Sequence, residues 1–305
     1  MRFAIAAFVL GSHLSAALIP DVRALANKAD FAAAEKLLNE FAAKSGKTPE
    51  WLEAYSWLAR GALNNKMYAK AEAYAAKTRE MALAELKKRP MDEEPRLPIA
   101  FGASQEVHAQ VLAATGARSE AVAFLQDELS KYRDTSIRTR LQKNLNLLTL
   151  EGKPAPALTA TEWLSAKPQP IEAYRGKALL LFFWAHWCGD CKQQAPILAK
   201  VRQEFGPRGL EILAPTRYYG YASRGEDATP AQEKAHIAKV LAEHYAMLAG
   251  MPVAIDNETF MQYGSSTTPT LVLVDAEGVV RLYHPGKMTY EDLAARVEAV
   301  LPRRS

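Results

Sequence analysis

Cysteine is scarce in this chain: 305 positions hold two. Two sulfurs exclude a scaffold stapled by several bridges. They also exclude a structural zinc site, which needs about four ligands, because no partner Cys-x-x-Cys exists. Excess charge is scarce as well, a formal +4 spread along the chain. A balance that mild keeps a protein soluble and makes no case for nucleic acid. Long apolar runs are missing too. The run that opens the chain, residues 3–10, falls well short of the ~20 residues that span a bilayer. What is left, 49% apolar and 24% charged, is ordinary globular material, and the length suggests about two domains.

The first residues carry a signal of their own. Met1-Arg2 is a short basic start, residues 3–10 are the apolar core, and Ser15 and Ala17 are the small residues that export cleavage requires. Residues 1–17 are therefore expected to be a signal peptide cut after Ala17, and the mature protein to be exported and periplasmic. No cysteine lies near that site, so lipid attachment there is excluded.

From residue 18 to 150 the pattern is helical throughout. Alanine-rich amphipathic segments cover 21–45, 50–64, 69–89, 105–115, 118–132 and 136–150, separated by glycine and proline clusters. Trp51, Tyr55, Leu58 and Ala59, followed by Tyr68, Ala71 and Ala75, resemble one tetratricopeptide helix pair. Residues 31–38 and 116–125 echo its second helix. Ala62 and Lys66 depart from that pattern, so an irregular helical bundle is the competing reading. Either way this half is expected to dock a protein partner, and it offers no catalytic constellation.

Both cysteines lie in Trp184-Ala185-His186-Trp187-Cys188-Gly189-Asp190-Cys191. The apolar run 178–185 reads as a buried strand, and 192–205 has helical spacing. Cys188 is thus placed at a helix N-terminus, where free N–H groups and the macrodipole favour a thiolate, the attacking species in disulfide exchange. As a structural bridge the pair would close a very small loop and contribute little. His186 beside it is too few ligands for a metal. Redox chemistry is the better reading, with no cofactor beyond the Cys188–Cys191 disulfide.

Further pieces accompany the pair. Pro196 lies five residues beyond Cys191, and Thr268-Pro269-Thr270 precedes a second apolar strand. Gly152-Lys153-Pro154-Ala155-Pro156 leads in, and Ala276-Glu277-Gly278 closes a late hairpin. Together with the Trp-Cys-x-x-Cys these resemble the TlpA/ResA-like branch of thioredoxin-fold thiol-disulfide oxidoreductases, over residues 151–305. The resemblance implies an α/β thioredoxin-like domain, a central mixed sheet flanked by helices, following the all-α region 18–150. The residues add a parallel strand at 210–216, a helix at 229–248, a hairpin of 270–275 with 279–283, and a closing helix at 289–301.

The resemblance also implies roles. Cys188 is the exposed attacking sulfur, Cys191 resolves the mixed disulfide, and Trp187 covers one side of the sulfur. By itself Pro269 reads as a strand-opening proline; the family makes Thr268-Pro269 a cis-proline loop that pairs with extended substrate. Gln194 and Phe182 occupy positions where relatives carry a carboxylate. Asp190 is the nearest replacement: it either raises the energy of the thiolate by like-charge repulsion or is solvated and nearly silent. Arg217, Tyr218 and Tyr219 leave the same sheet edge and are candidates for a groove. His236 and His244 are read as solvated. Implied partners are protein disulfide substrates and a membrane thiol donor of the DsbD/CcdA kind. The rival reading is a binding or scaffold protein whose redox domain only senses, or is vestigial.

Overall fold

The computed structural model describes residues 18–301. The expected signal peptide, residues 1–17, lies outside the described residues. By packing the chain divides into two compact units, one up to Val111 and one from Leu112.

The first unit is helical: α1 (Leu18–Asn27), α2 (Phe31–Ser45), α3 (Pro49–Asn64), α4 (Tyr68–Leu86) and most of α5 (Leu97–Ala114). The single helix expected over 21–45 is two. Ala29 takes φ 60°, and Asp30 caps α2 by accepting from the Ala33 N–H at 3.1 Å, so the chain turns between them. Thr48 caps α3 in the same way, with Pro49 in its first turn. α3 is the centre of this unit; Leu52, Ala54, Leu58, Ala59 and Ala62 are all buried. It meets α1 at Gly61, where an added Cβ would lie 2.6 Å from the Ala26 carbonyl oxygen. α5 starts at Leu97, not near 105 as expected, because Pro98 falls in a first turn that needs no N–H.

The second unit opens with α6 (Arg118–Lys131) and α7 (Arg138–Thr149), followed by the α/β region. The sequence changes character near 151, whereas the packing divides at 111/112. α7 binds to the segment α10 (Asn257–Gln262) of this unit: Asn146 Nδ2 donates to the Gln262 carbonyl at 3.1 Å. Gly264, at φ +62°, approaches so closely that a Cβ would lie 2.3 Å from the Lys143 nitrogen.

Around these helices come β1 (Glu162–Leu164), β2 (Ala178–Phe183), α8 (Gly189–Phe205), β3 (Leu210–Leu213), α9 (Pro230–His244), β4 (Val253–Ile255), β5 (Thr270–Val274), β6 (Val280–Pro285) and α11 (Tyr290–Val300). The main sheet has the order β3-β2-β5-β6, and β1 pairs with β4. β2 and β3 are parallel, with Leu180 opposite Ile212. β2 and β5 are antiparallel, with Leu181 opposite Val272. Successive side chains of β2 face opposite ways. Leu180 and Phe182 join the core formed with α8 and α11, while Leu179, Leu181 and Phe183 join Phe260 and Tyr263. Burying each such Leu or Phe is worth about 1.5–3 kcal/mol. The sheet is therefore the mixed, two-sided sheet expected; β4 and α10, too short to show a period, were not anticipated.

The close approach of Gly264 to α7 gives a stability prediction. Gly264→Ala is expected to cost about 2 kcal/mol or more, since both the left-handed backbone and the Lys143 contact resist a Cβ. Urea unfolding checks this; a loss below about 0.5 kcal/mol would contradict the packing described.

Candidate active site

The parallel pairing of β2 with β3 brings their C-terminal ends to one edge of the sheet, where such folds place their sites. Two bonds hold the edge together. Trp184 N donates to the Pro215 carbonyl at 3.1 Å, and Thr216 Oγ1 donates to the Trp184 carbonyl at 2.9 Å. The segment leading to Cys188 and the loop 217–221 therefore start side by side.

Cys188 is the N-cap of α8, and its sulfur accepts from the Cys191 N–H at 3.0 Å. The two cysteines form a disulfide. The Thr268 carbonyl oxygen lies 3.4 Å from the Cys188 sulfur, and Thr268-Pro269 is cis. The Pro269 carbonyl accepts from Gly286 N at 2.7 Å, which ties this loop to the end of β6. Cys188, Cys191, Thr268 and Pro269 thus come together. One expectation needs correction: Cys188 is not an exposed sulfur here. It is 3% exposed and Cys191 0%, because the Thr268 carbonyl closes over one sulfur and α8 encloses the other. Their asymmetry lies in the helix, with Cys188 at the tip and Cys191 in the first turn. Trp187 is the bare neighbour, at 50% exposure.

Asp190 does not stand as a lone charge. Lys287 Nζ pairs with its carboxylate at 2.9 Å and also reaches Gln193 Oε1 at 2.6 Å. The repulsion expected between Asp190 and a Cys188 thiolate is thereby offset. Gln194 is buried, and its Oε1 accepts from Met288 N at 2.9 Å, joining α8 to the approach of α11. Trp184 is a core residue whose indole donates to the Ala214 carbonyl at 3.3 Å.

The three groove candidates separate. Tyr219 packs edge-on against Trp187, centroids 5.5 Å apart, and burial pushes its phenol up to about 12. Arg217 lies over the Tyr219 ring at 4.9 Å and donates to Asn257 Oδ1 at 3.0 Å. Tyr218 bonds instead to Glu162, which Lys234 pairs with at 2.7 Å.

Two residues beside the site were not anticipated in these roles. Glu233, in the first turn of α9, is fully buried and accepts from Tyr219 N at 2.6 Å, Gly220 N at 2.9 Å and His186 at 3.2 Å. His186 is 2% exposed and ringed by Tyr219, Tyr221 and His236. His236, expected in solvent, packs edge-on to it at 5.1 Å; His244 is exposed as expected. Burial lowers the His186 pKa, with His236 and Lys192 adding to that and Glu233 opposing it. The imidazole is held neutral. His186 was visible in the motif only as an insufficient metal ligand, and nothing local linked it to Glu233, 47 residues on.

A dithiol–disulfide pair at a helix tip, facing a cis-proline loop at the edge of a mixed sheet, is the site of a thioredoxin-like thiol-disulfide oxidoreductase. Sequence comparison with known proteins agrees. Residues 152–283 match the model of the AhpC/TSA family. The chain is 28% identical over 153 residues to the thiol-disulfide oxidoreductase ResA of Geobacillus thermodenitrificans, covering 50% of this chain and 78% of that protein. It is 26% identical over 149 residues to the thioredoxin-like protein YneN of Bacillus subtilis, covering 48% and 79%. Among solved structures it matches a protein assigned as the thiol:disulfide interchange protein DsbE from Chlorobium tepidum, 27% identical, with a TM-score of 0.40 over 50% of this chain and 98% of that one.

The Asp190–Lys287 pair predicts a small effect where an unpaired charge would give a large one. Asp190→Pro should shift the reduction potential by less than ~15 mV, about 0.7 kcal/mol for two electrons. Lys287→Met, which uncovers Asp190, should make the potential more negative by more than that. Equilibration with a glutathione buffer reads both, and the reverse ranking would refute the pairing.

A second prediction concerns pH. His186 has a folded pKa below its ordinary 6.5, so the native state binds fewer protons than the unfolded chain as pH falls. Its contribution to stability is complete above about pH 6.5 and is lost below it. The stability gap between wild type and His186→Gln should therefore narrow from pH 8 to pH 5; a constant gap would count against a neutral His186.

Proposed function

We propose that this chain is an exported reductase of protein disulfides. The observation that carries the reading is the Cys188 sulfur, set between the Cys191 N–H at 3.0 Å and the Thr268 carbonyl at 3.4 Å. The first contact favours negative charge on that sulfur once the disulfide is opened. The second puts a backbone carbonyl of the cis-proline loop where an extended substrate segment can pair beside the reacting atoms.

In the reduced protein the Cys188 thiolate attacks one sulfur of a target disulfide. A Cys188–substrate bond forms, the substrate S–S bond breaks, and the first substrate thiolate leaves. Cys191, deprotonated, then attacks the Cys188 sulfur, closing the internal disulfide and expelling the second substrate thiolate. Two electrons pass to the substrate. The two protons given up by the protein's thiols balance the two that the substrate thiolates take up from solvent. Re-reduction requires a thiol donor, which we assign to a membrane protein of the DsbD/CcdA kind. The basic start, short apolar core and small residues of positions 1–17 support export to the periplasm. Among the described residues no helix is long and apolar enough to cross a membrane. The helical region 18–150 is assigned the docking of a protein partner.

Reduction of insulin disulfides by the full chain with dithiothreitol tests the activity. Wild type should accelerate it, Cys188→Ser should abolish the acceleration, and Cys191→Ser should accumulate mixed disulfides with its substrates. No acceleration over Cys188→Ser would move the assignment to a scaffold with an inert redox domain.

A further inference from the structure

The buried carboxylate of Glu233 is not used by the exchange reaction, yet it joins three segments around the reacting disulfide. An ionised carboxylate without water costs several kcal/mol unless donors satisfy it. Here the donors are two consecutive backbone N–H groups, Tyr219 and Gly220, together with the His186 ring. Gly220 at φ +83° gives the loop the left-handed step that turns neighbouring N–H groups toward one anion. His186 lies two residues before Cys188. The same carboxylate thus holds the end of the β2 segment and the tyrosine loop in one arrangement.

What that arrangement presents is an aromatic pair. Tyr219 stands edge-on to Trp187, and Arg217 lies over its ring. Trp187 is half bare beside a sulfur that is itself 3% exposed. A target disulfide must therefore reach Cys188 past the indole, and a large aromatic surface left open beside reacting atoms is one that a partner side chain covers. The Thr268 carbonyl at 3.4 Å from the sulfur borders the same approach.

We propose that Glu233 is a positioning residue that fixes Tyr219 against Trp187, and that this pair selects polypeptide disulfides flanked by an aromatic or large aliphatic side chain. The inference rests on the disulfide-exchange reading above and names its substrate class. Glu233 acts through the loop and touches no reacting atom.

Single-turnover reduction of two cystine-bridged peptides tests it, using the pre-reduced full chain. The peptides are identical except for Phe or Gly beside one cysteine. Wild type should favour the Phe peptide by about two- to tenfold in the second-order rate constant of that single turnover, the span one aromatic contact supplies. Tyr219→Ala and Glu233→Gln should bring the ratio near one, and Tyr219→Phe should keep it. A general loss of activity lowers both rates and leaves the ratio alone. If Glu233→Gln does not fold, the two Tyr219 variants decide. An active wild type with no preference, or a preference that survives Tyr219→Ala, overturns this proposal only. A wild type inert toward both peptides overturns the exchange reading as well.

Discussion

The N–H of Cys191 points at the Cys188 sulfur across 3.0 Å, and the rest of the second unit is arranged so that this contact sits at an edge. A helix start has N–H groups without partners, and a sulfur in the cap position takes one of them. The disulfide is then both the first link of α8 and the reacting group. α8 in turn is held by Leu198, Val201 and Phe205 in the core beneath the sheet. Chemistry and packing share the same few residues, so the site cannot be displaced without disturbing the helix.

The sheet converts this local feature into a site. Parallel β2 and β3 bring the cysteine segment and the tyrosine loop together, while antiparallel β5 delivers the cis Thr268-Pro269 to the far side of the sulfur. Each strand contributes one wall. Glu233 then ties the first two walls to each other from α9, by hydrogen bonds that leave the carboxylate no route to water. Lys287 plays the corresponding part for Asp190 on the exposed side. A charge in this site meets either a fixed partner or solvent.

Most elements were legible because they are local. The strand at 178–183 is a continuous apolar run, α8 follows with helical spacing, and Thr229 and Thr289 mark helix starts by their own side chains. β4 and α10 escaped because three and six residues cannot display a period. Nothing local divides the stretch 21–45, because Ala29, in the left-handed turn, carries no glycine or proline signal. The sequence leaves Asp190 between repulsion and silence for a different reason: its counter-ion lies on a loop almost a hundred residues later. The surroundings of His186 are illegible for the same reason, since the carboxylate beside it comes from α9, 47 residues on.

The amino-acid order alone determined the reactive pair and its place at a helix tip. Those features depend on neighbours within a few residues, where backbone geometry leaves little choice. Tertiary structure decided which charges stand alone, how far the sulfur is covered, and which tyrosine turns toward it. Such properties depend on what a distant segment brings within 3 to 6 Å. Chain separation says nothing about that distance until the sheet has closed it.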